Sequence, residues 1–318
     1  MHKIFDQISN AIKKSDNILL CAHRNPDGDA LGSLIGFIDL LENNNKRYNI
    51  FLPEKINDDF NFLERLDLIE NKKINNINNF DTIIILDSAD ITYTHLKDCF
   101  KNLITNSTII NIDHHTSNPH FGHINCVNSK ASSTAEIVFD FFKYINYKIN
   151  KNLATALLCG IVCDTEIFYN AATNANSTKQ ASELLKLGAN LNIIIRKIFQ
   201  NRKINYVKFL GALLSKIEFN AKLGILTLII RQDDLINFNI PEEEIHGIAN
   251  MLKNTREAKA VLILRETKDK KIKGSLRGRE IDVAKLAQAL GGGGHSKAAG
   301  FIIDGRLRQD QKGKWEIK

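Results

Sequence analysis

The chain has 318 residues, of which 43% are hydrophobic and 25% charged, and these proportions exclude a disordered or low-complexity chain. Its length is too great for one small core and favours two compact α/β domains. The formal net charge of +7 suits an anionic substrate, although lysines spread over solvated surfaces would give the same sum.

The N-terminal segment places Ile4, Phe5 and Ile8 at helical spacing, which predicts an amphipathic helix rather than a signal peptide. The longest apolar run, 154–163, is about ten residues long and far shorter than the ~20 residues of a membrane span. None of the five cysteines belongs to a CxxC pair. We therefore expect free thiols in a reducing cytoplasm and no thiolate metal site.

The first half of the chain alternates short apolar, β-branched runs with helical patterns. In chain order these predict a strand over 17–22, a helix over 30–41, strands over 82–86 and 108–112, and helices over 134–142 and 153–162. Strands that are apolar throughout and alternate with helices predict a parallel sheet with helices on both faces.

The second half has a different pattern, which begins after a helical stretch over 177–209. It predicts strands over 223–230, 260–264, 271–276 and 300–303, helices over 241–253 and 282–290, and a glycine run, 291–294, before the last strand. We therefore expect a parallel-sheet domain over 1–190, a helical connector over 191–210, and a smaller α/β domain with a mixed sheet over 211–318.

Four acidic or histidine clusters each follow a predicted buried element. They are the segment 23–33 with His23, Asp27 and Asp29, then Asp87, the pair Asp113-His114, and Asp164. Because loops beyond the carboxyl ends of parallel strands meet at one edge of a sheet, we expect these side chains to lie together. One such aspartate, such as Asp29, is more often a helix cap, but four equivalent clusters are better explained by a shared metal centre.

The number of candidate ligands favours two ions. His23, Asp27, Asp29, Asp87, Asp113, His114 and Asp164 exceed what one octahedral ion can use. Two ions ~3.5–4 Å apart suit an in-line displacement at phosphorus. Imidazole and carboxylate ligands without thiolate favour Mn²⁺ ahead of Mg²⁺, with Zn²⁺, Co²⁺ and Fe²⁺ as alternatives.

A second signature lies near the C-terminus. The glycine run 291–294 leaves backbone N–H groups open to a phosphate, Arg277 offers a guanidinium fork and Ser275 a hydroxyl. The glycine run alone would predict a flexible linker. It is followed at once by His295 and by small residues, which distinguishes it from an ordinary linker.

With these motifs the chain resembles the DHH phosphoesterases, in the branch with a DHH-associated C-terminal domain. The resemblance spans about residues 15–305 and rests on segment 23–33, the Asp87 motif, the triplet Asp113-His114-His115, the Asp164 motif and the stretch 291–300. Within the family, the chain is similar to the bacterial oligoribonuclease (nanoRNase) and 3′-phosphoadenosine 5′-phosphate phosphatase group.

The resemblance implies that a hydroxide activated by two Mn²⁺ ions attacks phosphorus, with Mg²⁺ or Co²⁺ as substitute ions. It assigns the first ion to His23, Asp27 and Asp87, and the second to Asp29, Asp87, His114 and Asp164, with Asp87 bridging. It implies catalytic roles for Asp87, for Asp113, which orients a neighbouring histidine, and for His115, which faces the substrate. Substrate binding falls to Ser275, Arg277, Gly292, Gly293, Gly294 and His295, with Arg256 as either a further contact or an ordinary surface arginine.

The implied function is hydrolysis of short oligoribonucleotides (nanoRNA), of 3′-phosphoadenosine 5′-phosphate, or of both, in a cleft between the two domains. A cytoplasmic protein without membrane contact is expected, and a homodimer is one expected assembly because relatives are often dimers. Hydrolysis of cyclic di-AMP or linear pApA remains the main alternative. A single-strand exonuclease is less favoured because no basic–aromatic cluster is evident. A non-catalytic nucleotide sensor would lack a metal ligand, and none is missing.

The segment after Asp164-Thr165 departs from the family pattern. Relatives often have glycine there, followed by phenylalanine and a basic residue, whereas this chain has Glu166-Ile167-Phe168-Tyr169-Asn170. The metal ligand is unaffected. We expect the rim of the substrate pocket to differ.

Overall fold

The computed structural model describes residues 1–52, 54–69, 79–245, 247–310 and 315–317. The chain divides into two compact units, Met1–Asn201 (unit 1) and Arg202–Lys318 (unit 2). Each unit has its own sheet and its own apolar cores.

Unit 1 is built on one parallel sheet. Its strands are β1 (Asn17–Ala22), β2 (Arg47–Phe51), β3 (Thr82–Leu86), β4 (Thr108–Asp113) and β5 (Ile124–Val127). All pair in parallel, in the order β2-β1-β3-β4-β5. The carboxyl ends of three strands lie level, because Ala22 pairs with Leu86 and Leu86 with Ile112. Three of the motifs therefore begin side by side at one edge of the sheet.

Helices cover both faces of this sheet, as predicted. They are α1 (His2–Lys14), α2 (Gly28–Asn43), α3 (Phe100–Asn106), α4 (Thr134–Tyr144), α5 (Lys151–Asp164), α6 (Ala175–Lys186) and α7 (Leu191–Ile194). Leu20 and Ile84 pack with α2, α4 and α5 in one core, whereas Leu19 and Ile83 pack with Leu103 of α3 in another. Alternate strand residues thus serve opposite cores, as the pleat of a sheet requires.

Helices α2 and α5 approach each other closely because small residues line their contact. A Cβ atom at Gly32 would lie 2.3 Å from the carbonyl oxygen of Ala156, and one at Gly28 would lie 2.3 Å from Sγ of Cys163. These contacts place the beginning of α2 against the end of α5. They therefore bring Asp29 and Asp164 into the same region.

Unit 2 contains a mixed sheet, as predicted. Its strands are β6 (Glu218–Asn220), β7 (Ile225–Ile230), β8 (Ala260–Glu266), β9 (Lys271–Gly278), β10 (Gly293–His295) and β11 (Ala298–Asp304), and a separate pair is formed by β12 (Leu307–Gln309) and β13 (Trp315–Ile317). The order is β10-β11-β9-β8-β7-β6, with only β7 and β8 parallel. Its helices are α8 (Ile204–Leu214), α9 (Gln232–Phe238), α10 (Ile248–Leu252) and α11 (Val283–Ala289).

Two predictions for unit 2 are wrong. The single helix expected over 241–253 is a 3₁₀ turn, Glu242–Ile245, followed by α10, and residue 246 lies outside the described residues. Gly247 precedes α10 with φ of +97°, a conformation that no continuous α-helix contains. The glycine run does not simply separate two elements, because Gly293 and Gly294 belong to β10 and pair with β11.

The helical stretch expected over 177–209 is also divided. Helix α6 ends at Lys186, and Gly188 adopts φ of +93° before α7 begins. A π-helical segment, Ile195–Phe199, follows α7 and precedes α8. Among the described helices of both units, none combines the length and the apolar character that crossing a bilayer requires.

Candidate metal centre

Three strand ends and two helix ends deliver the predicted ligands to one region of unit 1. His23 follows β1, Asp87 follows β3, His114 follows β4, Asp29 lies in the first turn of α2, and Asp164 ends α5. Three groups of side chains have ligand atoms that all lie within 4.8 Å of one another. These groups are His23, Asp27 and Asp87; Asp29, His114 and Asp164; and Asp87, His114 and His115.

The first group surrounds the imidazole of His23. Its Nε2 lies 3.4 Å from a carboxylate oxygen of Asp87 and 3.9 Å from one of Asp27. Its Nδ1 lies 2.6 Å from the carbonyl oxygen of Arg24, so Nε2 is the nitrogen that faces the carboxylates. Asp27 also caps α2, accepting the N–H groups of Asp29 and Ala30. The cap of this helix is therefore Asp27 rather than Asp29.

The second group surrounds His114. Its Nε2 lies 3.1 Å from an Asp164 oxygen and 3.9 Å from an Asp29 oxygen. Asp29 is fully buried, and its two oxygens accept the N–H groups of Thr134 and Ala135 at the start of α4, at 2.6 and 2.7 Å. This helix end holds the Asp29 carboxylate in a fixed orientation.

Asp87 is common to two of the groups. Only 2% of its surface is exposed, and its oxygens lie 3.4 Å from His23 and 3.7 Å from His114. Oδ1 also accepts the hydroxyl of Thr134 at 3.0 Å. Its φ of 53° is a left-handed conformation that aspartate tolerates better than most residues, and such strain is common at functional sites.

Asp113 lies behind the ligands and contacts a different histidine. Its buried carboxylate binds Nδ1 of His115 at 2.7 Å and accepts the side-chain amide of Asn118 at 2.6 Å. The His115 side chain is 44% exposed. Because Nδ1 is engaged by Asp113, Nε2 is the nitrogen left for a bound molecule.

The carboxylates crowded into this cluster shift the pKa values of one another and of the neighbouring histidines. Burial, together with the charges of Asp87, Asp164 and Asp27, raises the pKa of Asp29 well above its usual range. Burial likewise raises the pKa of Asp164 to about 6, against the hydrogen bond from His114. Although burial opposes it, hydrogen bonds with Asp27 and Asp87 raise the pKa of His23 to about 11.

His114 behaves in the same way as His23. Burial opposes its protonation, but the hydrogen bond with Asp164 and the charge of Asp87 raise its pKa to about 9. Crowded carboxylates thus hold protons on the neighbouring imidazoles. Divalent cations would supply the same positive charge, and carboxylate with imidazole is a donor set that Mn²⁺ and similar ions accept. The residues present therefore fit a metal centre.

The cluster opens into a cavity of about 360 Å³. Its lining includes the ligand candidates His23, Asp27, Asp87, His114 and Asp164, together with His115. Arg24 and Tyr93 also line it. The candidate ligands and His115 thus line one cavity.

Most of the predicted substrate residues of unit 2 share one face of its sheet. Ser275 and Arg277 alternate along β9 and pair with Gly300 and Ala298, which in turn pair with Gly293 and His295. Paired residues of antiparallel strands point to the same face, so these side chains are neighbours. Gly292 and Gly294 flank Gly293 in the same segment.

Arg277 is held in place, whereas Arg256 is not. Nε of Arg277 donates to the Asn250 side chain at 2.9 Å, one terminal nitrogen donates to the Leu276 carbonyl, and burial lowers the pKa of Arg277. Arg256 is exposed, and within the described residues its side chain makes no hydrogen bond or ion pair. The structure thus groups Arg277 with Ser275 and His295 but gives no contact that adds Arg256.

Two residues of the site were not anticipated from the sequence. Asn118 donates to Asp113, and Thr134 donates to Asp87. Asn118 comes shortly after the triplet at 113–115 and before a proline. This position only weakly indicates a loop residue whose side chain contacts the triplet. No signal in the sequence identifies Thr134, because its contact depends on where α4 begins.

The residues that depart from the family pattern lie in a strained segment. Three consecutive φ angles are positive: 49° at Glu166, 58° at Ile167 and 61° at Phe168. Each costs roughly 1–2 kcal/mol in a residue other than glycine. The absence of glycine at position 166 therefore leaves strain beside Asp164.

Replacing Glu166 with glycine is expected to raise the free energy of unfolding by about 1 kcal/mol, since glycine adopts this conformation without a steric cost. The control is Lys179→Gly on the exposed face of α6, where glycine should lower it by about 1 kcal/mol. Urea unfolding of the three proteins gives both values. A loss of stability in Glu166→Gly would show that the segment is not strained.

Two family models match most of the chain, and relatives match more than nine-tenths of it. Residues 17–161 match the DHH family, N-terminal domain, and residues 222–313 match the DHHA1 domain. The probable bifunctional oligoribonuclease and PAP phosphatase NrnA of Streptococcus mutans is 27% identical over 93% of this chain and 92% of that protein. The bifunctional oligoribonuclease and PAP phosphatase NrnA of Bacillus subtilis is 26% identical over 93% of this chain and 92% of that protein.

Two further similarities bear on substrate and fold. The cyclic-di-AMP phosphodiesterase GdpP of Bacillus subtilis is 28% identical over 94% of this chain, which spans 47% of that protein. The solved structure of an exopolyphosphatase-related protein from Bacteroides fragilis superposes with a TM-score of 0.87, at 24% identity, over 96% of this chain and 92% of that one. At that identity the superposition establishes a shared fold.

Proposed function

This chain belongs to the DHH family and is a phosphoester hydrolase, and from that premise we propose that it cleaves short oligoribonucleotides and 3′-phosphoadenosine 5′-phosphate. The observation that carries the proposal is the position of Asp87, whose carboxylate lies between His23 and His114. A carboxylate between two imidazole-containing groups is suited to bridge two cations. The two NrnA relatives support the choice of substrates, because each aligns with over nine-tenths of this chain and of its own length.

The proposed ligands follow the two groups around Asp87. One cation would be held by His23, Asp27 and Asp87, and the other by Asp29, Asp87, His114 and Asp164. Mn²⁺ is our first choice, with Mg²⁺ or Co²⁺ as substitutes. When bound, such cations supply positive charge to the phosphoryl oxygens and lower the pKa of water.

His115 is proposed to act on the leaving group. Its hydrogen bond with Asp113 raises the pKa of His115, which favours the protonated imidazole. Asp113 holds Nδ1 and fixes the ring, so the proton available for transfer is the one on Nε2. A protonated Nε2 facing the cavity can donate to the oxygen that leaves phosphorus.

Unit 2 is proposed to bind the nucleotide through the face that carries Ser275, Arg277 and His295. Two donors of Arg277 are used by Asn250 and Leu276, and among the described residues no acceptor bonds to its other N–H groups, which we assign to an anion. A Cβ atom at Gly292 would lie 2.1 Å from the carbonyl oxygen of Gly300, so only glycine permits this backbone path. The backbone of Gly292, Gly293 and Gly294 would then contact the phosphate directly.

A second candidate substrate is cyclic di-AMP or its linear product pApA. The support for it is the similarity to GdpP, which extends over 94% of this chain. Both candidates use the same metal centre. Turnover of the candidate substrates must therefore be compared directly to decide between them.

The test is a side-by-side turnover assay of the Mn²⁺-loaded protein. Its substrates are 3′-phosphoadenosine 5′-phosphate, an RNA dinucleotide, pApA, cyclic di-AMP and a long single-stranded RNA. We expect fast cleavage of the first two and little of the long RNA. Preference for cyclic di-AMP or pApA would replace our substrate assignment, and cleavage of the long RNA would indicate an exonuclease. No turnover of any of them would contradict the proposed function.

Replacing Asn118 with alanine should lower kcat about 10- to 100-fold and leave KM nearly unchanged, as expected for a residue that orients a catalytic group. Asn118 is the hydrogen-bond donor to the Asp113 oxygen that His115 does not use. Its loss would let the Asp113 carboxylate turn and misplace His115.

The control for this variant is Asn125→Ala. Among the described residues, the Asn125 side chain at the start of β5 bonds only to the backbone of Gly122, so its replacement reports the cost of loosening the loop before β5. Steady-state kinetics and thermal unfolding should be measured on both. If the two variants lose kcat equally, Asn118 has no orienting role.

A further inference from the structure

Arg24 and Tyr93 form a cation–π pair on the wall of the cavity. The guanidinium carbon of Arg24 lies 5.4 Å from the centroid of the Tyr93 ring, within range of a cation–π contact. The backbone N–H of Arg24 donates to the Tyr93 carbonyl at 2.7 Å. Both residues line the cavity that holds the metal ligands. Their contact thus joins the loop after β1 to the turn after β3.

The donors of Arg24 are not used by the protein. Within the described residues, its side chain makes no hydrogen bond or ion pair, although carboxylates lie nearby. A cation–π contact engages the charge of the guanidinium and gives its N–H groups no oxygen acceptor. These donors therefore remain for a molecule bound in the cavity that Arg24 lines.

Tyr93 is itself held in a short ordered turn, Ile91–Thr94. Asp90 caps the turn by accepting the N–H of Thr92 at 2.8 Å, and the Thr94 hydroxyl donates to the Ile91 carbonyl at 2.7 Å. The Tyr93 side chain remains 45% exposed. An arginine stacked on an anchored ring loses less freedom on binding than an unsupported one.

The balance of charges in the site leaves a role for the positive charge of Arg24. Asp27, Asp29, Asp87 and Asp164 supply four negative charges to the metal groups, which two divalent cations would balance. Asp113 is paired with His115. Arg24 is the only arginine or lysine among the described residues that line the cavity. The negative charge of a bound phosphate ester would then have Arg24 as its counter-charge.

We propose that Arg24 binds a non-bridging oxygen of the substrate phosphate in unit 1, and that Tyr93 positions its guanidinium. The proposal deepens the proposed function and rests on it, because it concerns the same cavity. It assigns to unit 1 a phosphate contact separate from the one proposed for Arg277. The Tyr93 ring, rather than its hydroxyl, is the part that matters.

The test compares Arg24→Ala, Arg24→Lys, Tyr93→Leu, Tyr93→Phe and the double variant Arg24→Ala/Tyr93→Leu. The substrates are an RNA dinucleotide and bis(p-nitrophenyl) phosphate, which has no base. Inorganic phosphate, titrated into each metal-loaded protein by calorimetry, gives a readout independent of turnover. Arg47→Ala is the control, since it removes one positive charge from an exposed position at the start of β2, where no ligand candidate lies.

We expect Arg24→Ala to weaken phosphate binding and kcat/KM on both substrates about 10- to 100-fold, the effect of losing a charge-assisted hydrogen bond. Lysine should restore part of the loss. Tyr93→Leu should lose about tenfold and Tyr93→Phe should recover most of that, since the cation–π contact survives. The double variant should be no worse than Arg24→Ala, because Tyr93 acts through Arg24.

Three results would overturn the assignment. Arg24→Ala and Arg47→Ala could behave alike in both assays. The loss could be confined to the dinucleotide, which would make Arg24 a base contact. The double variant could be additive, which would separate Tyr93 from Arg24. If the wild-type protein turned over no substrate, the proposed function would fail, yet phosphate binding that requires Arg24 would still support this assignment.

Discussion

Replacing Asp87 with alanine is expected to abolish metal-dependent hydrolysis, lowering kcat/KM by about a thousandfold or more. Asp87 is buried and lies within 3.7 Å of both His23 and His114, so its loss disrupts both groups of ligands. Metal ions contribute several kcal/mol of transition-state stabilisation, and each 1.36 kcal/mol is a factor of ten in rate.

The matched control is Asp90→Asn, in the same loop. Asp90 belongs to none of the metal groups of the described residues, and it caps a turn, which asparagine does equally well. Its activity should remain within a few-fold of the wild type. Metal content after reloading should fall in Asp87→Ala alone. Turnover in Asp87→Ala close to that of the wild type would contradict the ligand assignment.

Loading the protein with Mn²⁺ at neutral pH is expected to release at least two protons, because an imidazole must be neutral to bind a metal. The pKa of His23 is about 11 and that of His114 about 9, so both are protonated at pH 7 in the metal-free protein. Each released proton should tighten binding up to about tenfold per pH unit until the pH passes the pKa of that histidine. Binding should therefore strengthen steadily between pH 7 and pH 9.

Calorimetry in buffers of different ionisation enthalpy counts these protons.

The raised pKa values of the two histidines also determine whether the metal-free protein gains or loses stability as the pH rises. A histidine whose pKa is raised on folding stabilises the metal-free protein below about pH 6.5, and that contribution is lost as the pH rises toward 9 and 11. The metal-free Tm should thus fall between pH 7 and pH 9, while added Mn²⁺ raises it most at the higher pH. Metal uptake without proton release would contradict the protonation states.

The parallel sheet and the position of its ligand clusters could be predicted from the sequence because both depend on local patterns. Runs such as 82–86 are apolar throughout, and a polar cluster that follows such a run must lie at the carboxyl edge. Strand β2 was not predicted, since it lies at the edge of the sheet and only one of its residues is buried. The same reasoning could not foresee that Gly293 and Gly294 would pair as a strand.

The finer geometry of the site depends on tertiary contacts that no local pattern encodes. Asp29 is held by the first N–H groups of α4, more than a hundred residues along the chain. Helices α2 and α5 meet through Gly28 and Gly32, whose role depends on the facing helix. The sequence therefore predicted which residues lie close together, whereas the structure shows hydrogen bonds from Thr134 and Asn118 that fix the orientation of Asp87 and Asp113.

We propose that this cluster binds two cations through Asp87. The test is the number of Mn²⁺ ions that each chain retains after chelation, reloading and removal of free metal. We expect about two ions in the wild-type protein and in Asp90→Asn, and at most about one, weakly held, in Asp87→Ala. Retention of two ions by Asp87→Ala, or of none by the wild-type protein, would contradict it.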